Sequence, residues 1–298
     1  MKFAIVTPTF NAPKFIQNTI DSILMQEGDF EIDYIIVDGG STPENLSVIK
    51  AFDEKYKKKK IKFKCKKFNF HWISEKDNGM YDGISKGFKK VNGDIMCWLN
   101  DDDVFLEGAL KAVSDTFEKY PEIEWLTGNN NNINEEGKII QMGMLHLFNQ
   151  RLIAKGLYGP ILHYIHQEST FWRTPLYEKS GGLNTSLKLA GDFQLWVKFS
   201  QHAKLVSLDY RVACFRIRAN QKSSNYKAYL NECALFRKYS FIEEGYFWFL
   251  HHLGSKKLSN KIRTRVFEQL SLILLSDLKG YSLVKYDNIP VLSKTYFI

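Results

Sequence analysis

Three consecutive aspartates, Asp101-Asp102-Asp103, close the apolar run Ile95-Met96-Cys97-Trp98-Leu99. Hard carboxylate oxygens suit Mg2+ or Mn2+, and an ion held by one or two of them keeps its remaining positions for a diphosphate. The competing reading is structural: the aspartates form a solvated turn or cap a helix running from Val104 to Tyr120, where the helix dipole favours negative charge. Other acidic residues widen the pattern. Asp38 ends the run Tyr34-Ile35-Ile36-Val37 and is followed by Gly39-Gly40, Asp77 lies in the loop Glu75-Lys76-Asp77-Asn78-Gly79, and Asp192 precedes Phe193-Gln194-Leu195-Trp196. A carboxylate such as Asp192 serves either as a proton acceptor or as a helix cap. His166, ahead of Gln167, is read either as a site residue or as a buried hydrogen-bonding group.

These carboxylates need elements to bring them together. Phe3–Val6 reads as a strand ending in Thr7-Pro8-Thr9, and Ile16, Ile20, Ile23 and Leu24 follow at helical spacing. The unit then repeats, with a strand at 34–37 and a helix through Leu46, Ile49 and Phe52, then a strand at 70–74 and a helix from Met80 to Val91. A fourth strand at 95–99 precedes a helix through Leu106, Leu110, Val113 and Phe117. Alternating strands and helices predict a mostly parallel α/β sheet, whose ligands bind outside the carboxyl ends of the strands. Asp38, Asp77 and the Asp101–Asp103 cluster fall on that rim. Carboxylates converging there repel one another unless a cation intervenes, so a divalent metal is expected. Beyond Trp125 the pattern is mixed, with Asn129-Asn130-Asn131-Asn132 read as turn-rich, a helix near Asp192 and helical character from Tyr226 onward.

With 298 residues and 44% hydrophobic content, the chain buries a substantial core. The net charge of +8 favours anionic partners. Much of the excess lies in Lys57–Lys60 and the lysines at 62, 64, 66 and 67, read as a solvated loop and strand edge. The basic residues show no RNP, helix-turn-helix or zinc-finger pattern, which argues against nucleic acid. The four cysteines are scattered, no signal-length apolar core opens the chain, and no stretch reaches the roughly 18 apolar residues needed to span a bilayer. A cytoplasmic protein is expected, with contact to the cytoplasmic face of a membrane as an option.

Taken together, the motifs resemble family 2 glycosyltransferases with the GT-A fold. They are Val6-Thr7-Pro8-Thr9-Phe10-Asn11, Ile36-Val37-Asp38-Gly39-Gly40-Ser41-Thr42, Ser74-Glu75-Lys76-Asp77-Asn78-Gly79-Met80-Tyr81-Asp82-Gly83, Gly93-Asp94 with Trp98-Leu99-Asn100-Asp101-Asp102-Asp103, His166-Gln167, Gly181-Gly182 and Ala190-Gly191-Asp192-Phe193-Gln194-Leu195-Trp196. The resemblance implies a GT-A catalytic domain over residues 1–220, built on a mixed, mostly parallel sheet. Its nucleotide-binding part covers about 1–103 and its acceptor-binding part about 104–220. Thr7, Pro8, Thr9, Asp38, Gly39, Asp77, Asp101, Asp102 and His166 would bind a nucleotide-sugar donor, UDP being the expected nucleotide. Asp102 and Asp103 would meet Mg2+ or Mn2+ in a D-x-D motif, and Asp192 would be the general base of an inverting transfer to a glycan or lipid-linked acceptor in bacterial cell-surface polysaccharide synthesis. Relatives often carry an acidic residue where Gly191 stands.

Residues 221–298 fall outside the resemblance and read as a helical extension. Its aromatics, Tyr246-Phe247-Trp248-Phe249, with Lys256, Lys257, Lys261, Arg263 and Arg265, suit either an inner-membrane interface or a cap packed on the catalytic domain or a second subunit. Two other classes fit the same scaffold: a metal-dependent nucleotidyltransferase, which releases pyrophosphate, and a non-catalytic binding module.

Overall fold

A computed structural model of the chain describes residues 1–11, 14–219, 221–245 and 283–285. The strand and helix repeats emerge in order: β1 (Lys2–Thr9), α1 (Ile16–Leu24), β2 (Gly28–Asp38), α2 (Pro43–Lys57), β3 (Cys65–Ser74), α3 (Met80–Phe88) and β4 (Ile95–Trp98). These four strands are parallel and lie in the spatial order β3-β2-β1-β4. The chain therefore winds outward from β1 in one direction and then crosses to its other side. That reversal opens a crevice at the carboxyl ends of β1 and β4, where α/β sheets bind ligands.

Period-two alternation explains why β1 and β2 are buried on both faces. Phe3, Ile5, Ile32, Tyr34 and Ile36 enter one core with α1 and α2, whereas Ala4, Val6, Ile35 and Val37 enter another with α3. α1 presents Ile16, Thr19, Ile20, Ile23 and Leu24 inward, at helical spacing.

The second half extends the same sheet. β5 (Val104–Phe105), α4 (Ala109–Lys119), β6 (Trp125–Ile133), β7 (Ile139–Gln141), α5 (Gln150–Lys155), β8 (Thr170–Arg173), α6 (Thr174–Lys179), α7 (Gly191–Phe199) and β9 (Leu205–Arg216) follow. β8 is antiparallel to both β4 and β6, and β9 runs parallel to β6, so the sheet is mixed and continuous across residue 103. α8 (Tyr226–Cys233) and β10 (Leu283–Lys285) complete the described elements.

A tryptophan cluster fixes α7 against this sheet. Trp196 stacks on Trp98 of β4 (ring centroids 6.1 Å apart, planes 10° apart) and on Trp125 of β6 (5.5 Å, 28°), and meets Trp172 of β8 edge-on at 5.7 Å. Such aromatic packing buries large areas with defined geometry, so the first turn of α7 is held at a fixed height above the sheet.

Three expectations are corrected. The four asparagines at 129–132 lie within β6, not in a turn: paired with β9, and at Asn132 also with β7, that segment gains ladder hydrogen bonds that override its weak strand propensity. The aspartate triplet does not cap a helix starting at Val104, because Val104 and Phe105 pair with Cys214 and Ala213 and α4 begins only at Ala109, behind Gly108. The extension is not wholly helical, since Leu283–Lys285 pairs with β9. Its aromatic and basic cluster at 246–265 lies outside the described residues.

Candidate active site

The turn after β4 carries Asp101, Asp102 and Asp103, and each has a different surrounding. Asp103 is fully buried. It accepts the backbone N–H of Arg216 at 2.9 Å and the Asn100 side-chain amide at 3.2 Å, while Thr19 of α1 donates its hydroxyl to the Asp103 carbonyl at 2.7 Å. Burial, then Asp102, then Glu168, hold its carboxyl well above the usual range. Asp103 thus fastens the turn to β9.

Asp101 faces β1. Burial and the neighbouring Asp102 push it up to about 7, opposed by hydrogen bonds from the Thr9 side chain and the Phe10 backbone and by the charge of Arg218. Asp102 is the most exposed of the three, at 9%. Its Oδ2 accepts from Arg218 Nε at 2.5 Å and its carbonyl from Arg216 Nε at 2.7 Å. The charge of Arg218 acts on all three aspartates, and the buried Glu168 Oε1, 3.3 Å from His166 Nδ1, makes no hydrogen bond. Crowding with Asp102 helps to hold the carboxyls of Asp101 and Asp103 above the usual range, and a cation bound beside them would relieve it. Among the described residues no three His, Cys, Asp or Glu side chains converge to hold an ion alone. Carboxylate oxygens of this kind fit a hard ion such as Mg2+ or Mn2+, and Asp102, the most exposed of the three, is the one that would reach it.

The other rim residues surround the same strand ends. Tyr34 donates to Thr7 Oγ1 at 3.0 Å within the sheet. Pro8 and Thr9 pair with Val37 and Asp38 in the β1–β2 register. Asp38 is fully buried and its Oδ2 accepts from Gly40 N and Ser41 N, each at 3.0 Å, and from Ser74 Oγ at 2.8 Å, so it organises the loop after β2. Asp77 accepts from Gly79 N at 2.9 Å, and a Cβ on Gly39 would lie 2.7 Å from Asp77 Oδ2. The absence of a side chain at Gly39 lets the Asp77 carboxylate close against the β2 loop.

On the opposite bank, Asn100 donates to Gln167 at 3.2 Å and Gln167 donates to the Trp98 carbonyl at 2.5 Å, tying the His166 turn to the end of β4. His166 lies with Nδ1 3.3 Å from Glu168 and lines a small cavity with Thr127, Asn129, Asn130 and His146.

Asp192 occupies the first turn of α7. Its Oδ1 accepts from Phe193 N at 2.8 Å and from the Tyr81 hydroxyl at 3.2 Å, and its surface reaches a small cavity lined by Tyr158, Tyr164, Trp196 and Tyr229. Burial raises its pKa to about 6 against the two hydrogen bonds that lower it. A carboxylate so placed is a stronger base than a solvated one near neutral pH.

Gly191 has a physical reason in this chain. A Cβ there would sit 2.7 Å from three atoms of the Tyr81 ring. Gly191→Ala is expected to cost about 1–3 kcal/mol of stability through overpacking and to lower activity by displacing the Tyr81 hydroxyl from Asp192, measured by denaturant unfolding beside a rate assay.

Sequence reasoning did not single out Arg216, Arg218 or Glu168. The arginines lie at the end of β9 more than 110 residues from the aspartates they serve, and no local spacing marks them.

Residues 4–178 match the family described as Glycosyl transferase family 2, an interval that ends before Asp192. An uncharacterized glycosyltransferase of Mycobacterium tuberculosis is 26% identical over 102 residues, covering 34% of each chain. The PGL/p-HBAD biosynthesis glycosyltransferase of Mycobacterium bovis is 31% identical over 106 residues, 35% of this chain and 37% of that one. The chain thus spans about a third of the length of these curated relatives. Among solved structures, S. aureus TarS 1-349 in complex with UDP-GlcNAc superposes with a TM-score of 0.59 at 15% identity, over 94% of this chain and 77% of that one. A mannosyltransferase from Pyrobaculum calidifontis in complex with GDP-Man and Mn2+ gives 0.55 at 14%, over 93% and 76%. At that identity the likeness is one of fold, the GT-A fold.

Proposed function

Since the chain belongs to glycosyl transferase family 2, we propose that it transfers a sugar, with inversion, from a nucleoside-diphosphate sugar to a hydroxyl of a glycan or lipid-linked acceptor. The observation that carries this reading is the pairing of two separate buried carboxylate centres: the aspartate turn at the switch point of the sheet, and Asp192 in the first turn of α7. Residues 1–103 serve the nucleotide, with Thr7, Pro8, Thr9, Asp38, Gly39, Asp77 and Asp101 around it, and residues 104–220 serve the acceptor. His166, on the turn tied to the end of β4 through Gln167, is assigned to the donor as well.

In the reaction Asp192 accepts the proton of the acceptor hydroxyl while the oxygen of that hydroxyl bonds to the anomeric carbon. The bond from that carbon to the β-phosphate oxygen breaks, and the nucleoside diphosphate leaves. A bound Mg2+ or Mn2+ at Asp102 supplies charge neutralisation on the diphosphate. Arg218, already paired to Asp102, adds positive charge beside it. UDP is the proposed nucleotide, in line with the UDP-GlcNAc bound by TarS, and surface-glycan synthesis is the proposed setting, in line with the PGL/p-HBAD relative. No helix among the described residues is long and apolar enough to cross a membrane. Membrane-face contact and self-association through the C-terminal segment are part of this reading.

A thermal-shift screen of UDP-, GDP- and dTDP-sugars with and without Mn2+ tests the donor class, because a ligand bound only by the folded state raises Tm. Stabilisation by one nucleotide family that grows with Mn2+ is expected; no shift with any donor contradicts the reading.

The raised pKa of Asp192 sets a pH dependence. The base works only when deprotonated, so with donor and metal saturating kcat rises as pH increases through about 6 rather than near the ordinary carboxylate value. A pH profile of kcat checks this.

A further inference from the structure

The loop that delivers Asp192 is held by a residue of the C-terminal extension. Glu232, on α8, accepts three consecutive backbone N–H groups: Lys188 on Oε1 at 2.9 Å, and Leu189 and Ala190 on Oε2 at 2.9 and 2.8 Å. These amides lead directly into α7 and its Asp192. From the other side, the Tyr81 hydroxyl donates to the Leu189 carbonyl at 2.9 Å as well as to Asp192, and Lys188 Nζ donates to the Asn78 carbonyl. The segment 188–190 is therefore gripped between the nucleotide half and the extension.

α8 also packs on α7. Cys233 joins Phe193, Val197 and Ala190 in a small core, and the Tyr229 ring meets Phe193 at 6.4 Å. Tyr229, one turn before Glu232, reaches the cavity shared with Asp192. A carboxylate accepting several amides makes charge-assisted hydrogen bonds, stronger than neutral ones.

We infer that Glu232 is a positioning residue for the transfer reaction: by holding the amides of residues 188–190 it sets where the Asp192 carboxylate stands relative to the acceptor hydroxyl. The inference rests on the reading of Asp192 as general base. The helix that carries Glu232, like the segment it holds, lies beyond residue 178, where the family match ends.

The test uses the full chain, the fastest-reacting donor among UDP-GlcNAc, UDP-glucose and GDP-mannose, Mn2+ and water as acceptor, with nucleoside diphosphate release as readout. Glu232→Ala is expected to lower kcat about 10- to 100-fold, the scale of a misplaced catalytic group, with donor KM within about twofold of the parent. Glu232→Gln, which keeps one acceptor oxygen, recovers part of that loss. Asp192→Asn is measured beside them. If Asp192→Asn stays active, the base reading fails and this inference falls with it. If Asp192→Asn is inactive but Glu232→Ala keeps full kcat, the clamp alone is overturned. A Glu232→Ala variant that loses donor affinity together with kcat, with no recovery in Glu232→Gln, also overturns it, since that pattern marks general unfolding rather than positioning.

Discussion

Asp192→Asn is expected to lower kcat by roughly 10³-fold, or about 4 kcal/mol in the barrier, while donor affinity changes little. The amide keeps an oxygen for the hydrogen bonds from Phe193 N and the Tyr81 hydroxyl, so α7 retains its place against Trp98 and Trp125. What is lost is the negative oxygen that takes the acceptor proton. None of the residues proposed to bind the donor hydrogen-bonds Asp192, whose partners are Phe193 N and the Tyr81 hydroxyl. Steady-state kinetics should therefore show a fall confined to kcat, and calorimetric titration of the donor should give an unchanged Kd. A loss of donor binding in this variant, or kcat within tenfold of the parent, would assign Asp192 to structure.

Asp102→Ala carries the second large effect, and it falls on the other half of the reaction. Asp102 is the aspartate of the triplet best placed to meet an ion: Asp103 is bound to the Arg216 backbone and Asp101 to the end of β1. Removing the Asp102 carboxylate should weaken metal-dependent donor binding and reduce kcat/KM by about 10²- to 10³-fold, because stabilisation of the leaving diphosphate amounts to several kcal/mol. A Mn2+ titration of donor-induced Tm shifts checks it. The parent should gain stabilisation with Mn2+, and the variant should not. Equal metal dependence in the two proteins would exclude Asp102 as the ligand.

Much of this arrangement was legible in the sequence because it is local. Continuous apolar runs at 34–37 and 95–99 can be buried on both faces only in a covered parallel sheet, and an aspartate directly after such a run must stand at its carboxyl edge. The order β3-β2-β1-β4 then places Asp101–Asp103 beside Thr7–Thr9. The remainder depends on contacts between distant segments. Arg216 and Arg218 reach the aspartates only because β9 pairs with the two-residue strand Val104–Phe105. Glu232 meets the Asp192 loop because α8 folds back on α7. Asn129–Asn132 was misread for the same reason: neighbouring strands outweigh the local preference of asparagine for turns. Gly191 is explained only when the Tyr81 ring is seen against it.

The structure also changes the standing of the aspartate cluster. Its three members are not interchangeable ligands. One anchors β9, one anchors β1, and Asp102 pairs with Arg218 and is the one proposed to meet the ion.

The most direct test is phosphorus NMR of the products formed by the full chain with a nucleotide sugar and Mn2+. The account predicts that nucleoside diphosphate accumulates in the parent and not in Asp192→Asn. Appearance of pyrophosphate would identify a nucleotidyltransferase instead, and undiminished nucleoside diphosphate in Asp192→Asn would contradict the mechanism.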